Sequence, residues 1–146
     1  MIEGKNDAGA LSSAPQVEAL ADQLTACADA LHQRIMQGIN GHHGPFSDAE
    51  QALSRTMLDD EILLRQRADG LYADAANYTV KALGKSQQAL MALTADAAKK
   101  LAHINRIANA AGLVGGLLML AGAVATGQAA PIVTAIERIS KQVKLL

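Results

Sequence analysis

Gly112-Leu113-Val114-Gly115-Gly116-Leu117-Leu118-Met119-Leu120-Ala121-Gly122-Ala123-Val124 is the stretch that decides how this chain is to be read. It is the centre of a longer run, Ile107–Ile136, that contains no Asp, Glu, Lys or Arg. A helix on the surface of a soluble protein shows a polar face. A helix free of charge all round is therefore either enclosed by other helices or in contact with a bilayer. About 20 apolar residues are enough for one helix to span the hydrocarbon core. The run exceeds that length, so the sequence leads to an expectation of membrane contact, with the central helix of a soluble bundle as the alternative.

Leu113, Val114, Leu117, Leu118, Leu120 and Val124 are the residues expected to enter the bilayer, because large aliphatic side chains supply most of the insertion free energy. Gly and Ala fill much of the remainder, which makes insertion marginal. Such a segment suits a protein that folds in water and inserts later better than it suits a constitutive anchor. Gly112 and Gly116 form a G-x-x-x-G pair, and Gly122 with Ala125 extends the small-residue face. Small residues let helix backbones approach closely in a membrane, so these glycines are candidates for helix packing and self-association.

Both flanks are basic. Lys99, Lys100 and Arg106 precede the run and Arg138, Lys141 and Lys144 follow it, and all six are expected to meet anionic headgroups. Equal numbers on the two sides leave orientation unspecified by the positive-inside rule. They also suit a hairpin turning at Gly127 to Pro131, which would be shallow, since two full spans need about 40 residues. Beyond Pro131, Ile132, Ile136, Ile139, Val143 and Leu146 share one helical face beside the three basic residues. That is the pattern of an interfacial amphipathic helix and equally of a terminal helix docked on a bundle. In composition the apolar run is similar to segments of type III secretion translocators and helical pore-forming toxins, a likeness confined to about 30 residues. The likeness implies insertion and oligomerisation.

The rest of the chain reads as all-α: long amphipathic helices in a hairpin or bundle, one Gly/Ala-rich apolar helix and a short C-terminal amphipathic helix. Half of the 146 residues are hydrophobic but only 2% are aromatic, with no Trp. The apolar residues are mainly Ala and Leu, strong helix formers, rather than the aromatic and β-branched residues of pleated sheets. Three regions are expected: a disordered tail over 1–14, an acidic helical region over 15–106, and the apolar segment with its basic helix over 107–146. Charge divides in the same sense. Residues 1–95 sum to −5 and residues 96–146 to +4, which together give the net −1.

Within the acidic region, a first helix is expected from Pro15, capped by Ser13, to Gly38 or just beyond. Val17, Leu20, Leu24, Cys27/Ala28, Leu31 and Ile35 fall on one stripe. Gly41-His42-His43-Gly44-Pro45 breaks it, and the adjacent histidines are too few for a structural metal site. Ser47-Asp48-Ala49-Glu50 is a capping box that opens a long helical pattern. Leu83, Leu90, Ala97, Ile104 and Ala111 recur by sevens, with Leu101 and Ala108 between them, which is heptad-like. Gly70 and Gly84 interrupt the pattern, and a break near Gly84 with a restart at Lys85-Ser86-Gln87 is preferred. Asp59-Asp60-Glu61 reads as a solvated acidic run, because consecutive helical residues do not converge on one ion.

No residue set points to catalysis. The four histidines show no spacing tied to a nucleophile or ligand set, and Cys27 has no evident electropositive setting, so an enzyme, a metal and a cofactor are not expected. One cysteine forms no intrachain disulfide. The basic part lacks dense Lys/Arg runs and aromatics, so nucleic acid is not an expected partner. The expected partners are an anionic bilayer, further copies of the chain, or a helical protein. The N-terminus has no apolar core of a Sec signal, which is consistent with synthesis in the cytoplasm and membrane association directly or after export by a non-Sec route. The preferred function is thus a small helical membrane-interacting protein that inserts its glycine-rich helix into a bilayer, with self-association open to it as a pore-forming or translocator-like component. The alternative is a soluble helical adaptor, chaperone-like or effector module with that helix in its core.

Overall fold

Pro15 and the polar residues before it start the first helix. The computed structural model describes residues 9–146, and α1 spans Ala14–Asn40 with Pro15 in its first turn. Gln16 Oε1 accepts from the backbone N–H of Ser12 at 2.8 Å and of Ser13 at 3.1 Å, pairing donors near the helix start. The expected stripe is buried from Val17 to Ile35, with Ala21 added to it. α2, Asp48–Ala73, opens on the capping box: Glu50 N–H donates to Ser47 Oγ at 3.1 Å and Ser47 N–H to Glu50 Oε1 at 2.8 Å. Asp48 and Glu50 also place negative charge in the first turn, where the helix dipole favours it.

The chain then leaves helical structure. A 3-10 turn at Ala75–Tyr78 and a loop with Gly84 at φ 78° precede α3, Gln87–His103, whose N-cap Ser86 accepts from Ala89 N–H at 3.0 Å. The restart falls at the expected residues. The heptad-like helix does not form. Only Leu90, Ala97 and Leu101 of that series lie in α3; Leu83 precedes it, Ile104 is extended, and Ala108 is exposed in a 3-10 turn. The physical reason is tertiary. Arg34 of α1 donates to the carbonyls of Ile104 (2.6 Å) and Asn105 (2.7 Å) and holds the chain in a bend there.

After a 3-10 turn at Ile107–Ala110, α4 runs Ala111–Thr126 and α5 runs Ala129–Leu145. Gly127, at φ 72°, makes the turn between them, within the Gly127–Pro131 stretch read as a hairpin turn. Left-handed backbone is cheap only for glycine, so this residue terminates α4. Among the described residues there are five α-helices and no strand, so the protein is all-α.

Packing closes a ring. α1 lies against α2 and α3, α2 carries α4, α4 packs on α5, and α5 returns to α3. Regions 15–106 and 107–146 thus share one core. The expected tail enters it as well. Ala10 and Leu11 are fully buried, with Ala10 N–H donating to Lys85 O and Val80 N–H to Leu11 O, both at 2.7 Å. Residues 1–8 of that tail lie outside the described part.

Two glycines in helices predict stability changes of opposite sign. A Cβ at Gly70 would meet nothing within 4 Å, so Gly70→Ala should stabilise by about 0.5–1 kcal/mol through lower unfolded-state entropy. A Cβ at Gly116 would stand 3.0 Å from Ile139 Cγ1, so Gly116→Val should destabilise by about 1–3 kcal/mol. Urea unfolding of the two variants measures both.

Candidate membrane-contacting site around helix α4

Helix α4 divides lengthwise. Leu113, Val114, Leu117, Leu120 and Val124 are fully buried, with Gly116, Ala121 and Ala123 on the same side. Leu118 is half-buried, Met119 is 36% exposed, and Ala111, Ala125 and Thr126 are exposed. The solvent-facing side therefore carries no charge of its own. Ile107–Thr126, 20 residues, is long and apolar enough to cross a membrane, and half of it is buried in this fold. The core helix of a soluble protein has the same length and composition.

The glycines explain how such a helix sits at a surface. A Cβ at Gly112 would run into the Gln142 amide, and one at Gly115 would lie 3.1 Å from Arg138 Nη2. One at Gly122 would lie 3.5 Å from Arg67 Nη1, and that nitrogen donates to Leu118 O at 2.8 Å. Long polar side chains of α2 and α5 thus lie across the small positions of α4 and supply the polar coat it lacks, their stems covering apolar surface and their heads meeting water. Gly112 and Gly116, expected as helix-packing residues, pack here against α5 of the same chain, and Gly122 against α2.

The expected headgroup residues form two groups. Lys99 is exposed and Lys100 half-buried in the last turn and a half of α3, with exposed Arg106 in the linker beyond. Arg138, Lys141 and Lys144 are exposed on α5, whose buried face is Ile132, Ala135 and Ile139. α3 and α5 are in contact, so the two helices that carry these groups are neighbours although the apolar run separates them in sequence.

The acidic run is not uniformly solvated. Asp59 is exposed, Asp60 is half-buried, and Glu61 is only 6% exposed. Burial, and then the neighbouring charge of Asp59, push the Asp60 carboxyl above its ordinary range. Glu61 occupies the stripe position between Met57 and Leu64, a period that makes it legible in the sequence as a core-facing residue. Its two oxygens are held by Arg65 Nε and His32 Nδ1, each at 2.8 Å, while Arg65 Nη1 reaches Asp29 at 2.7 Å. A buried carboxylate needs such partners, and they join α1 to α2. Arg34, Arg67 and the contacts of this cluster with His32 and Asp29 have structural parts that no sequence spacing announced.

Cys27 is fully buried, its thiol donating to Thr94 O at 3.4 Å and pushed up to about 12 by burial, so it is an inert small hydrophobe. Among the described residues no group of three or more His, Cys, Asp or Glu is arranged to hold a metal ion. In comparisons with family models, curated proteins and solved structures, no match to this chain was found.

His42 is built into the turn before α2. Its Nε2 lies 2.9 Å from Glu50 Oε2, its Nδ1 lies 3.1 Å from Gly44 O, and its ring stacks on Phe46 at 4.0 Å. Both ring nitrogens face acceptors, an arrangement that only the imidazolium satisfies in full. The bond to Glu50, then that to Gly44, raises the His42 pKa. The Ser47 backbone N–H, then His42, lowers that of Glu50. The raised histidine contributes stability at low pH that is lost as pH rises through its folded-state value. The lowered carboxylate contributes stability that is lost as pH falls through its own. The turn should therefore be tightest between the two. An NMR titration should place the His42 midpoint above the ordinary 6.5, and Glu50→Gln should bring it back down.

Proposed function

We propose that this protein carries a charge-free helix in a water-stable ring of helices and delivers that helix, with α5, to an anionic bilayer. The observation that carries the proposal is the outward side of α4, which faces solvent without a charged residue. A helix destined only for a water-facing place in a bundle has no need to exclude charge from its exposed side. At 1.5 Å per residue, Ile107–Thr126 would extend roughly 30 Å, the thickness of a bilayer core. α5 carries Glu137, Arg138, Lys141 and Lys144 and is suited to the interface rather than the interior.

Magnitudes favour an anionic membrane. Six Leu and Val side chains at about 0.5 kcal/mol each supply roughly 3 kcal/mol of insertion free energy. That does not match the roughly 5–15 kcal/mol that holds a domain folded. Six basic residues at about 1 kcal/mol each near a negative surface bring the two sides within reach. Self-association through Gly112 and Gly116 then requires α5 to move off them.

The second reading is a soluble interaction module in which α4 stays in the core. Its support is the full burial of Leu113, Val114, Leu117, Leu120 and Val124, and the arginine cover over the glycines. Liposome co-flotation separates the two. Under the proposal the protein floats with anionic vesicles, stays bound in high salt and does not float with neutral ones. Met119→Glu should leave the circular dichroism melt unchanged and abolish the salt-resistant fraction. A monodisperse protein that floats under no condition would overturn the membrane reading and direct the search to a protein partner for the outward strip of α4.

A further inference from the structure

Between the last turns of α3, the linker after it and the end of α5 lies a cavity of about 510 Å3. That volume is within the range of small-ligand sites, about 300–1,000 Å3. Its polar lining is Lys99, Lys100, His103, Asn105 and Asn109, with Leu145 on the apolar side. Among the described residues no Asp or Glu side chain lines it, and Leu146, just past the end of α5, completes the wall beside Leu145. Charge at a helix C-terminus has a structural use, since Lys100 and His103 complement the helix dipole. The dipole does not account for a cavity with two amide side chains from the following linker on its wall.

The wall is fixed from behind. Arg34 binds the carbonyls of Ile104 and Asn105 at 2.6 and 2.7 Å, which sets the linker that carries Asn105. His103 Nδ1–H donates to Lys99 O at 3.0 Å, which seats the imidazole on the wall and leaves Nε2 of the neutral ring as an acceptor. Lysines act as point charges for phosphate, and side-chain amides add direction.

We propose that this cleft binds a phosphate-bearing anion, with Lys99 and Lys100 supplying the charge and Asn105 and Asn109 the directed hydrogen bonds. Its source rests on the membrane reading above: an anionic phospholipid headgroup, with Leu145, 76% exposed, at the lip toward the acyl chains. A free phosphate ester presents the same chemistry.

The test is an amide NMR titration of the full chain with inorganic phosphate, and separately with dihexanoyl-phosphatidylglycerol below its micelle concentration. Sodium chloride at matched ionic strength is the reference. Saturable shifts at residues 99–109 and 145–146 are expected with both phosphate compounds and not with chloride. The double variant K99Q/K100Q should weaken binding about tenfold while the chain stays folded, its melt lowered only by the lost dipole complement of Lys100. Tighter binding of the short-chain lipid identifies the headgroup as the source, and equal binding identifies free phosphate; either supports the cleft. No saturable shift there with either compound, or full affinity in K99Q/K100Q, overturns it. No bilayer is present, so that failure is distinct from a failure of flotation through α4.

Discussion

The close approach of α4 and α5 at Gly112 and Gly116 positions most of what surrounds it. Without side chains at these two sites, Gln142 and Ile139 come down onto the backbone of α4. The buried face of α5 is thereby set against α4, and α5 can at the same time reach α3 and close the ring. Each large aliphatic side chain enclosed in this way is worth about 1.5–3 kcal/mol. Arg138 and Arg67 then reach over Gly115 and Gly122. Charge is kept off α4 itself and supplied by its neighbours.

Elsewhere, hydrogen bonds between distant residues replace helix. Arg34 takes two carbonyls at the end of α3 that an uninterrupted helix would have used internally. At the other end of α3, the loop after α2 is held by the segment before α1. Leu11 N–H donates to Gln87 Oε1 at 3.0 Å, and Gln87 Nε2 donates to Gln16 O at 3.0 Å. Leu11 and Ala82 take positive φ, 65° and 55°. Left-handed backbone costs a non-glycine residue of order 1–3 kcal/mol. At Leu11 full burial of the side chain and two backbone hydrogen bonds offset it.

The same devices bear on the proposed function. A helix held by small residues and by arginines from its neighbours has a smooth surface once those neighbours withdraw, because its one polar side chain, Thr126, donates to Ala123 O at 2.6 Å and the rest of its polar groups are backbone, including the Leu118 carbonyl that Arg67 covers. A helix kept soluble by its own charged face would carry that charge into the bilayer. Under this reading, the placement of Arg67, Arg138 and Gln142 on α2 and α5 rather than on α4 is what lets one sequence suit both environments.

Helix type, several caps and the buried stripes were determined by the sequence alone. Ser47 to Glu50, Pro15, the run from Val17 to Ile35, the restart at Ser86 and the turn at Gly127 all rest on local backbone chemistry and periodicity, which act over a few residues. The charge-free character of Ile107–Ile136 was equally legible, since it needs only a count. Three things were decided by the tertiary structure. The sevenfold series from Leu83 to Ala111 is split, because Arg34 captures the chain at Ile104. Glu61, which its spacing puts on the buried stripe, is paired there rather than solvated, because His32 of α1 meets it. The glycine face of α4 is occupied by α5 and α2. Each depends on a partner at least one helix away in the chain or on packing across helices, and periodicity along one helix carries no information about which other element fills a gap or takes a hydrogen bond.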